Sequence, residues 1–212
     1  SRYYLQQRSG SYNSYYTMNP PTSNNINFLF LHNYYYQAPC LFFEEIEKIV
    51  NTHTDDDINN GIFDWGFNCD MDRTPVTNRD IFPYLSKNID KFANQIGAKL
   101  KLQLNEPWIN SYKKGQYQET HDHDGHVFSS VIFLNEGDNF AEFYFVDRTI
   151  DPTPHSLKKL LKMEDLWYPE VNKGDIFIFP AHMLHGVSPH KSDVVRKTLS
   201  FNIDVLEVES NE

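Results

Sequence analysis

"KLKLQLN" (residues 99–105) alternates polar residues with leucine, and with it the chain changes period. Side chains two apart on a strand share a face, so Leu100, Leu102 and Leu104 predict a half-buried strand. Upstream the period is helical. "RDIFPYLSKNIDKFANQIG" (79–97) sets Ile81, Leu85, Ile89, Phe92 and Ile96 along one stripe, with Gly97 placed to end the helix. Downstream, "WINSY" (108–112), "VFSSVIFL" (127–134), "FAEFYFV" (140–146), "IFIF" (176–179) and "TLSFNIDV" (198–205) read as short strands between Gly, Pro, Asn and Asp turns. "PHSLKKLLKM" (154–163) inserts one short helix.

Before residue 79 the signals are weaker. Residues 1–25, rich in Ser, Tyr, Asn and Gln, read as a flexible arm, with Met18 a candidate native start and the residues before it then added sequence. Asn27 to Leu31 suggests a first strand. "APCLFFEEIEKIVN" (38–51) predicts a helix with Pro39 in its first turn and Phe42, Ile46, Ile49 and Val50 on one side. "TDDDINNG" (54–61) is an acidic, turn-rich loop. Helices first and many short strands afterwards predict an α+β, mainly β fold with an antiparallel sandwich or barrel. The expected division is a 1–25 arm, a 26–98 strand with supporting helices, and a 99–212 core.

Composition narrows the function. With 212 residues the chain suits one domain with extensions, and its 16 Phe, 13 Tyr and 3 Trp favour sheet packing. A formal charge of −10 argues against nucleic acid as the main partner, which needs clustered Lys and Arg. Lys158, Lys159 and Lys162 read as a solvated helix face. No apolar run reaches the roughly 20 residues of a membrane span. Cys40 and Cys69 are too few for a disulfide scaffold and are expected to be reduced and half-buried in a cytoplasmic protein.

The chemistry concentrates in "ETHDHDGH" (119–126), with Glu119, His121, Asp122, His123, Asp124 and His126. On a strand, His121 and His123 share a face and can hold one ion while Asp122 faces away. A third ligand must come from afar, with His155, His182, His185 and His190 as candidates. His185 follows the apolar strand of "GDIFIFPAHMLHGVSPH" (174–190) and is expected at the barrel mouth; His182 competes. The alternative is a polar surface loop with incidental histidines. Trp108, Phe133 and Phe145 are expected in the core rather than the site.

From about Lys99 to Val205 these residues resemble the Fe(II)/2-oxoglutarate-dependent oxygenases, the prolyl-4-hydroxylase-like branch and the uncharacterised oxygenases of phages above all. "NSYKKGQYQETHDH" (110–123) is similar to the Tyr-x-x-Gly segment leading to the first iron-binding His. "SSVIFLNEG" (129–137) resembles the next core strand, "GDIFIFPAHMLHGVSP" (174–189) the run ending in the distal His, and "RKTLSFNI" (196–203) the strand whose Arg binds 2-oxoglutarate. The resemblance implies a double-stranded β-helix (jelly roll) of two four-stranded sheets. It implies Fe(II) and 2-oxoglutarate as cofactors, ascorbate as an optional reductant, molecular oxygen as co-reactant, and the cytoplasm (the host's, if phage-encoded) as location. It assigns His121 and His185 to iron, Arg196 with Thr198 to the far carboxylate of 2-oxoglutarate, and Tyr112 to a hydrogen bond with it. Glu119, Asp122 or Asp124 would fix imidazole tautomers.

One position departs from the family. Its His-x-Asp or His-x-Glu carboxylate is here His123, so either His123 completes a three-histidine site or a rearranged turn recruits Asp124. Three neutral ligands would leave Fe(II) its full charge and raise its reduction potential. The implied activity is hydroxylation of an unactivated C–H bond in a peptide or small molecule, peptidyl proline included. A cupin-like three-histidine dioxygenase without 2-oxoglutarate and a non-catalytic metal-binding module remain as alternatives.

Overall fold

A computed structural model describes residues 25–30, 33–53, 69–96, 100–148, 154–161 and 165–208. The arm before residue 25, Met18, the expected acidic loop at 54–61, Gly97 and Lys162 lie outside them. In chain order the elements are β1 (Ile26–Leu29), β2 (Asn33–Pro39), α1 (Phe43–Val50), β3 (Cys69–Asp70), β4 (Asp72–Pro75), a 3-10 turn (Arg79–Ile81) and α2 (Phe82–Gln95). There follow β5 (Leu100–Leu104), β6 (Trp108–Tyr112), β7 (Tyr117–His121), β8 (Phe128–Phe133), β9 (Phe143–Val146), α3 (His155–Leu161), β10 (Leu166–Trp167), β11 (Asp175–Pro180), β12 (His185–Val187) and β13 (Arg196–Val208).

From β6 onward the chain weaves between two antiparallel sheets. β6, β8, β11 and β13 enter an eight-stranded sheet, ordered β1-β2-β11-β8-β13-β6-β4 with β5 also on β13. β7, β9, β10 and β12 enter a five-stranded sheet, ordered β10-β9-β12-β7-β3. This is a jelly roll, as expected. Its sheets exceed four strands because β1, β2, β4 and β5 extend one and β3 the other.

The central strands β8 and β11 of the larger sheet are buried on both faces. On β11, Ile176 and Ile178 join the cluster beneath α1 and α2, while Phe177 and Phe179 join the cluster between the sheets. A continuous apolar run is what a strand between two cores requires. The helix-side cluster holds Ile46 and Val50 of α1, Ile81 of the 3-10 turn and Leu85, Ile89 and Phe92 of α2, all buried. Asn88 staples the helices together: its Oδ1 accepts from the Leu41 N–H at 2.7 Å and its Nδ2 donates to Leu41 O and Tyr84 O, each at 3.0 Å.

Several expectations need correction. Pro39 closes strand β2 instead of opening a helix. Pairing with β11 (Pro39 opposite Asp175, Tyr36 opposite Ile178) holds this segment extended, a tertiary contact that local sequence does not announce. Phe42 is 47% exposed, so it lies off the buried stripe of α1. Residues 69–75, assigned no strand from the sequence, pair as β3 and β4, on β7 and β6. Cys40 is buried, and burial pushes its thiol up to about 12, against the smaller pull of Asn88 and Lys91. No described helix is long and apolar enough to cross a membrane.

Two outcomes test this packing. Phe92 is fully buried against Tyr36 and Phe128, with ring centroids at 5.5 and 5.1 Å. Phe92→Ala is expected to cost about 3–5 kcal/mol in urea unfolding, whereas Leu160→Ala, 77% exposed, should shift stability by less than about 0.5 kcal/mol. Cys40, held as a neutral thiol, should react with a thiol reagent at pH 8 only upon unfolding; fast labelling of the native protein would contradict its burial.

Candidate active site

β7 carries one residue more than the strand beside it. His121 pairs with His185 and Gln118 with Val187, three residues against two. Such a bulge lets residues three apart face the same way, so Gln118 and His121 both line the cavity between the sheets. His121 ends β7, and His123 lies in the turn beyond, its N–H donating to Ala181 O at 2.9 Å. The two imidazoles therefore meet through a turn, not through strand alternation as the spacing suggested. His185 opens β12 and is 6% exposed, which places it inside the sandwich and not at its mouth. Gly186 lets this happen: a Cβ there would stand 3.0 Å from Gln118 O on the neighbouring strand.

The three rings are oriented by neutral carbonyl groups. His121 Nδ1 faces Glu119 O at 2.8 Å, His123 Nδ1 faces Asn202 Oδ1 at 2.8 Å, and His185 Nδ1 faces Met183 O at 2.9 Å. Each partner can only accept, so each Nδ1 carries the proton and each Nε2 keeps a lone pair. One nitrogen from each ring lies within 4.8 Å of the others. His121 Nε2 and His123 Nε2 stand 3.2 Å apart, two acceptors with no proton between them. Burial holds all three imidazoles below the ordinary histidine range, His123 at about 4, and their mutual repulsion adds to this at His123 and His185. Neutral rings with convergent lone pairs are a set that could hold a divalent transition metal.

The other end of the cavity is cationic. Arg196 and Tyr112 are register partners on β13 and β6. The Arg196 guanidinium, 4% exposed, hydrogen-bonds Tyr112 and lies 5.1 Å from that ring and 5.6 Å from Phe133. Burial presses its pKa down, the Tyr112 contact opposes this, and a guanidinium stays charged regardless. Its Nη1 has no hydrogen-bond partner among the described residues. A buried cationic donor left unpaired is costly and calls for an anion. Thr198 accepts from Asn110 Nδ2 at 3.3 Å on the same cavity wall.

The remaining sequence candidates are elsewhere. Asp122 pairs with Arg148, Asp124 is exposed, and Glu119 orients His121 through its backbone carbonyl instead of its carboxylate. His126 pairs with Asp204. His155 and His182 are exposed, the latter 3.2 Å from Asn33 Oδ1. His190 is buried but occupied, Nδ1 accepting from Ala141 N–H and Nε2 donating to Val194 O. Phe133 and Phe145 lie in the core as expected, but Trp108 lines the cavity, stacked 6.1 Å from His123. The sequence reading missed Gln118, Asn202 and Arg73. Asn202 had a signal, sharing the parity of Arg196 and Thr198 on one strand; Gln118 was hidden by the bulge.

Residues 106–202 match the family described as "Putative 2OG-Fe(II) oxygenase". No curated protein matches the sequence significantly. Among solved structures, the viral collagen prolyl hydroxylase of Paramecium Bursaria Chlorella virus-1 is 17% identical, with 80% of this chain and 94% of that one covered at a TM-score of 0.53. A Pseudomonas putida prolyl-4-hydroxylase is 15% identical, covering 80% and 91% at 0.56. The non-heme alpha-ketoglutarate-dependent epimerase SnoN of nogalamycin biosynthesis is 13% identical, covering 80% and 76% at 0.59. At these identities the structures speak for a shared fold. The sequence match, under half of the chain but lying on the strands that hold the histidines and Arg196, goes further: this segment is similar to the Fe(II)/2-oxoglutarate-dependent oxygenases, oxidoreductases whose cofactors are Fe(II) and 2-oxoglutarate.

Proposed function

We propose that this oxygenase hydroxylates an unactivated C–H bond from a three-histidine iron site, with His121, His123 and His185 as the ligands. The observation that carries this reading is the convergence of three Nε2 lone pairs, each fixed by a carbonyl on the opposite ring nitrogen. Asp124, in an exposed turn, is not recruited. Arg196 holds the far carboxylate of 2-oxoglutarate through the fork that contains its unpaired Nη1, with Tyr112 and Thr198 flanking it. This buried guanidinium is also why the cosubstrate-free reading is set aside. Bound together, Fe(II) and 2-oxoglutarate supply the oxidising chemistry that places one oxygen atom of O2 on the substrate and releases succinate and carbon dioxide.

The protein's own part is orientation and exclusion of water. Glu119 O, Asn202 and Met183 O lock the ring tautomers, as outer partners of metal-bound imidazoles commonly do. Phe179 and Phe143 pack on His185 with ring centroids at 4.9 and 5.8 Å, keeping that side dry. Peptidyl proline is the first substrate class to test, because two of the structures sharing this fold are prolyl hydroxylases.

Anaerobic addition of Fe(II) and then 2-oxoglutarate to the apo-protein should produce a visible charge-transfer band. Arg196→Ala should weaken 2-oxoglutarate binding by about tenfold or more, the worth of a charge-assisted hydrogen bond, and His123→Ala should abolish or shift the band. Iron binding without a band would remove the cosubstrate from the reading; no iron binding would leave only a polar loop. Separately, Asn202→Leu removes the acceptor that orients His123 and should cost about 10–100-fold in metal affinity by competitive chelation. Unchanged affinity would mean that His123 is not a ligand.

A further inference from the structure

The cavity between the sheets has an open volume of about 30 Å³, room for roughly two or three waters. A keto diacid reaching from the three histidines to Arg196 does not fit in that space, so a side chain on the wall has to move. Much of the wall is fixed: Val131, Phe143, Phe179, Val187 and Tyr112 belong to the core between the sheets. Gln118 differs from these, because its amide is bonded towards both ends of the cavity at once.

The direction of those bonds follows from the ring beside them. Glu119 O takes the proton of His121 Nδ1, so His121 Nε2 has a lone pair and can only accept. The group 3.1 Å from that lone pair is therefore the Gln118 NH2, which donates to it. Oε1, turned the other way, can only accept, and the Tyr112 hydroxyl donates to it at 2.9 Å. The ring tautomer thus settles which way round the amide stands. Gln118 itself is 8% exposed.

Each bond sits where a ligand is to go, and this step rests on the three-histidine reading above. The His121 lone pair is the one that reading gives to the ion, and an ion on it leaves no room for the Gln118 N–H. The Tyr112 hydroxyl flanks the far carboxylate of 2-oxoglutarate in the same reading. Gln118 therefore opposes both ligands, one at each end of its amide. A residue that merely propped up the site would favour both.

We propose that Gln118 is a positioning residue that keeps the cavity closed to 2-oxoglutarate until the histidines hold their metal. Its side chain spans the path between His121 and Arg196 and holds the Tyr112 hydroxyl. When His121 gives its lone pair to an ion, the amide is left bonded at one end. It then swings clear, opening the space between the two ends and making the Tyr112 hydroxyl available to the dianion.

The test uses the full chain with 15N-labelled glutamine amides and histidine rings, stripped with a chelator and then titrated with Zn(II). Zn(II) is expected to move the Nε2 resonances of His121, His123 and His185 and, with them, the Gln118 NH2 pair, which loses its hydrogen bond. Gln118→Ala should bind Zn(II) about fivefold more tightly by competitive chelation, the worth of one net hydrogen bond. Without metal, it should bind 2-oxoglutarate about tenfold or more tightly than wild type in calorimetry, the worth of a charge-assisted hydrogen bond. Gln118→Leu keeps the bulk but not the bonds; it should gain the same Zn(II) affinity and still exclude 2-oxoglutarate when metal-free. Circular dichroism checks that both variants fold, and the wild-type Gln118 resonances decide the matter without either. Ring resonances that shift on Zn(II) while the Gln118 amide stays put overturn the proposal and leave the three-histidine site standing. So does weaker or unchanged Zn(II) binding in Gln118→Ala, or metal-free binding of 2-oxoglutarate equal to that of wild type. Ring resonances that do not respond to Zn(II) overturn the proposed iron site, and the role of Gln118 with it.

Discussion

One strand sets the geometry on which both ends of the site depend. Along β13, Arg196, Thr198 and Ser200 face the cavity, and Asn202 meets His123, while Leu199, Phe201 and Ile203 sit in the helix-side core. Because both faces are buried, a slip of one residue would drive a guanidinium under the helices and leucine into the cavity. Its register is therefore strongly specified. Pairing with β5, β6 and β8 fixes it along its length. Arg196 and Asn202, six residues apart, are thereby held at about 20 Å of strand rise, so one rigid element spaces the carboxylate anchor from the group that aims His123.

The histidines lack negative charge at two levels. Among the described residues no carboxylate belongs to the convergent set, and every Nδ1 partner is a neutral carbonyl oxygen. A carboxylate in either position would make the imidazoles better donors to a metal. Its absence from both leaves an ion there more electron-poor and harder to oxidise than in a two-histidine, one-carboxylate site. The positive charge of Arg196 on the cavity wall acts in the same direction. An anionic cosubstrate is the natural counterweight, which would tie the affinity of such a site for its cosubstrate to the composition of its metal shell.

Much of this was legible in the sequence, for physical reasons particular to each element. α2 declared itself because an amphipathic stripe from Ile81 to Phe92 has one solution. β13 did so because "RKTLSFNID" alternates strictly between two environments. β2 did not, since "NYYYQAP" shows no alternation of apolar and polar residues, and its place between β1 and β11 is set by tertiary pairing. The histidines could be named, but the route by which they meet could not: His123 is placed by a hydrogen bond to Ala181, more than fifty residues away. Arg73 was silent for the same reason. Nothing near it in the sequence shows that β4 pairs beside Asn110 and Trp108.

The bulge in β7 ties these features together. By turning Gln118 inward beside His121, it completes a chain of donors in one direction: Arg196 to Tyr112, Tyr112 Oη to Gln118 Oε1 at 2.9 Å, and Gln118 Nε2 to His121 Nε2 at 3.1 Å. The last bond uses the lone pair that a metal would claim. An ion on His121 must displace the Gln118 amide, and a displaced amide must release or re-form its bond to Tyr112, the hydroxyl that supports Arg196. A regular strand would put Gln118 on the outer face and leave the two ends of the cavity independent. The extra residue makes occupancy of the histidines and the hydrogen bonding around Arg196 parts of one equilibrium, because a buried network rearranges as a unit.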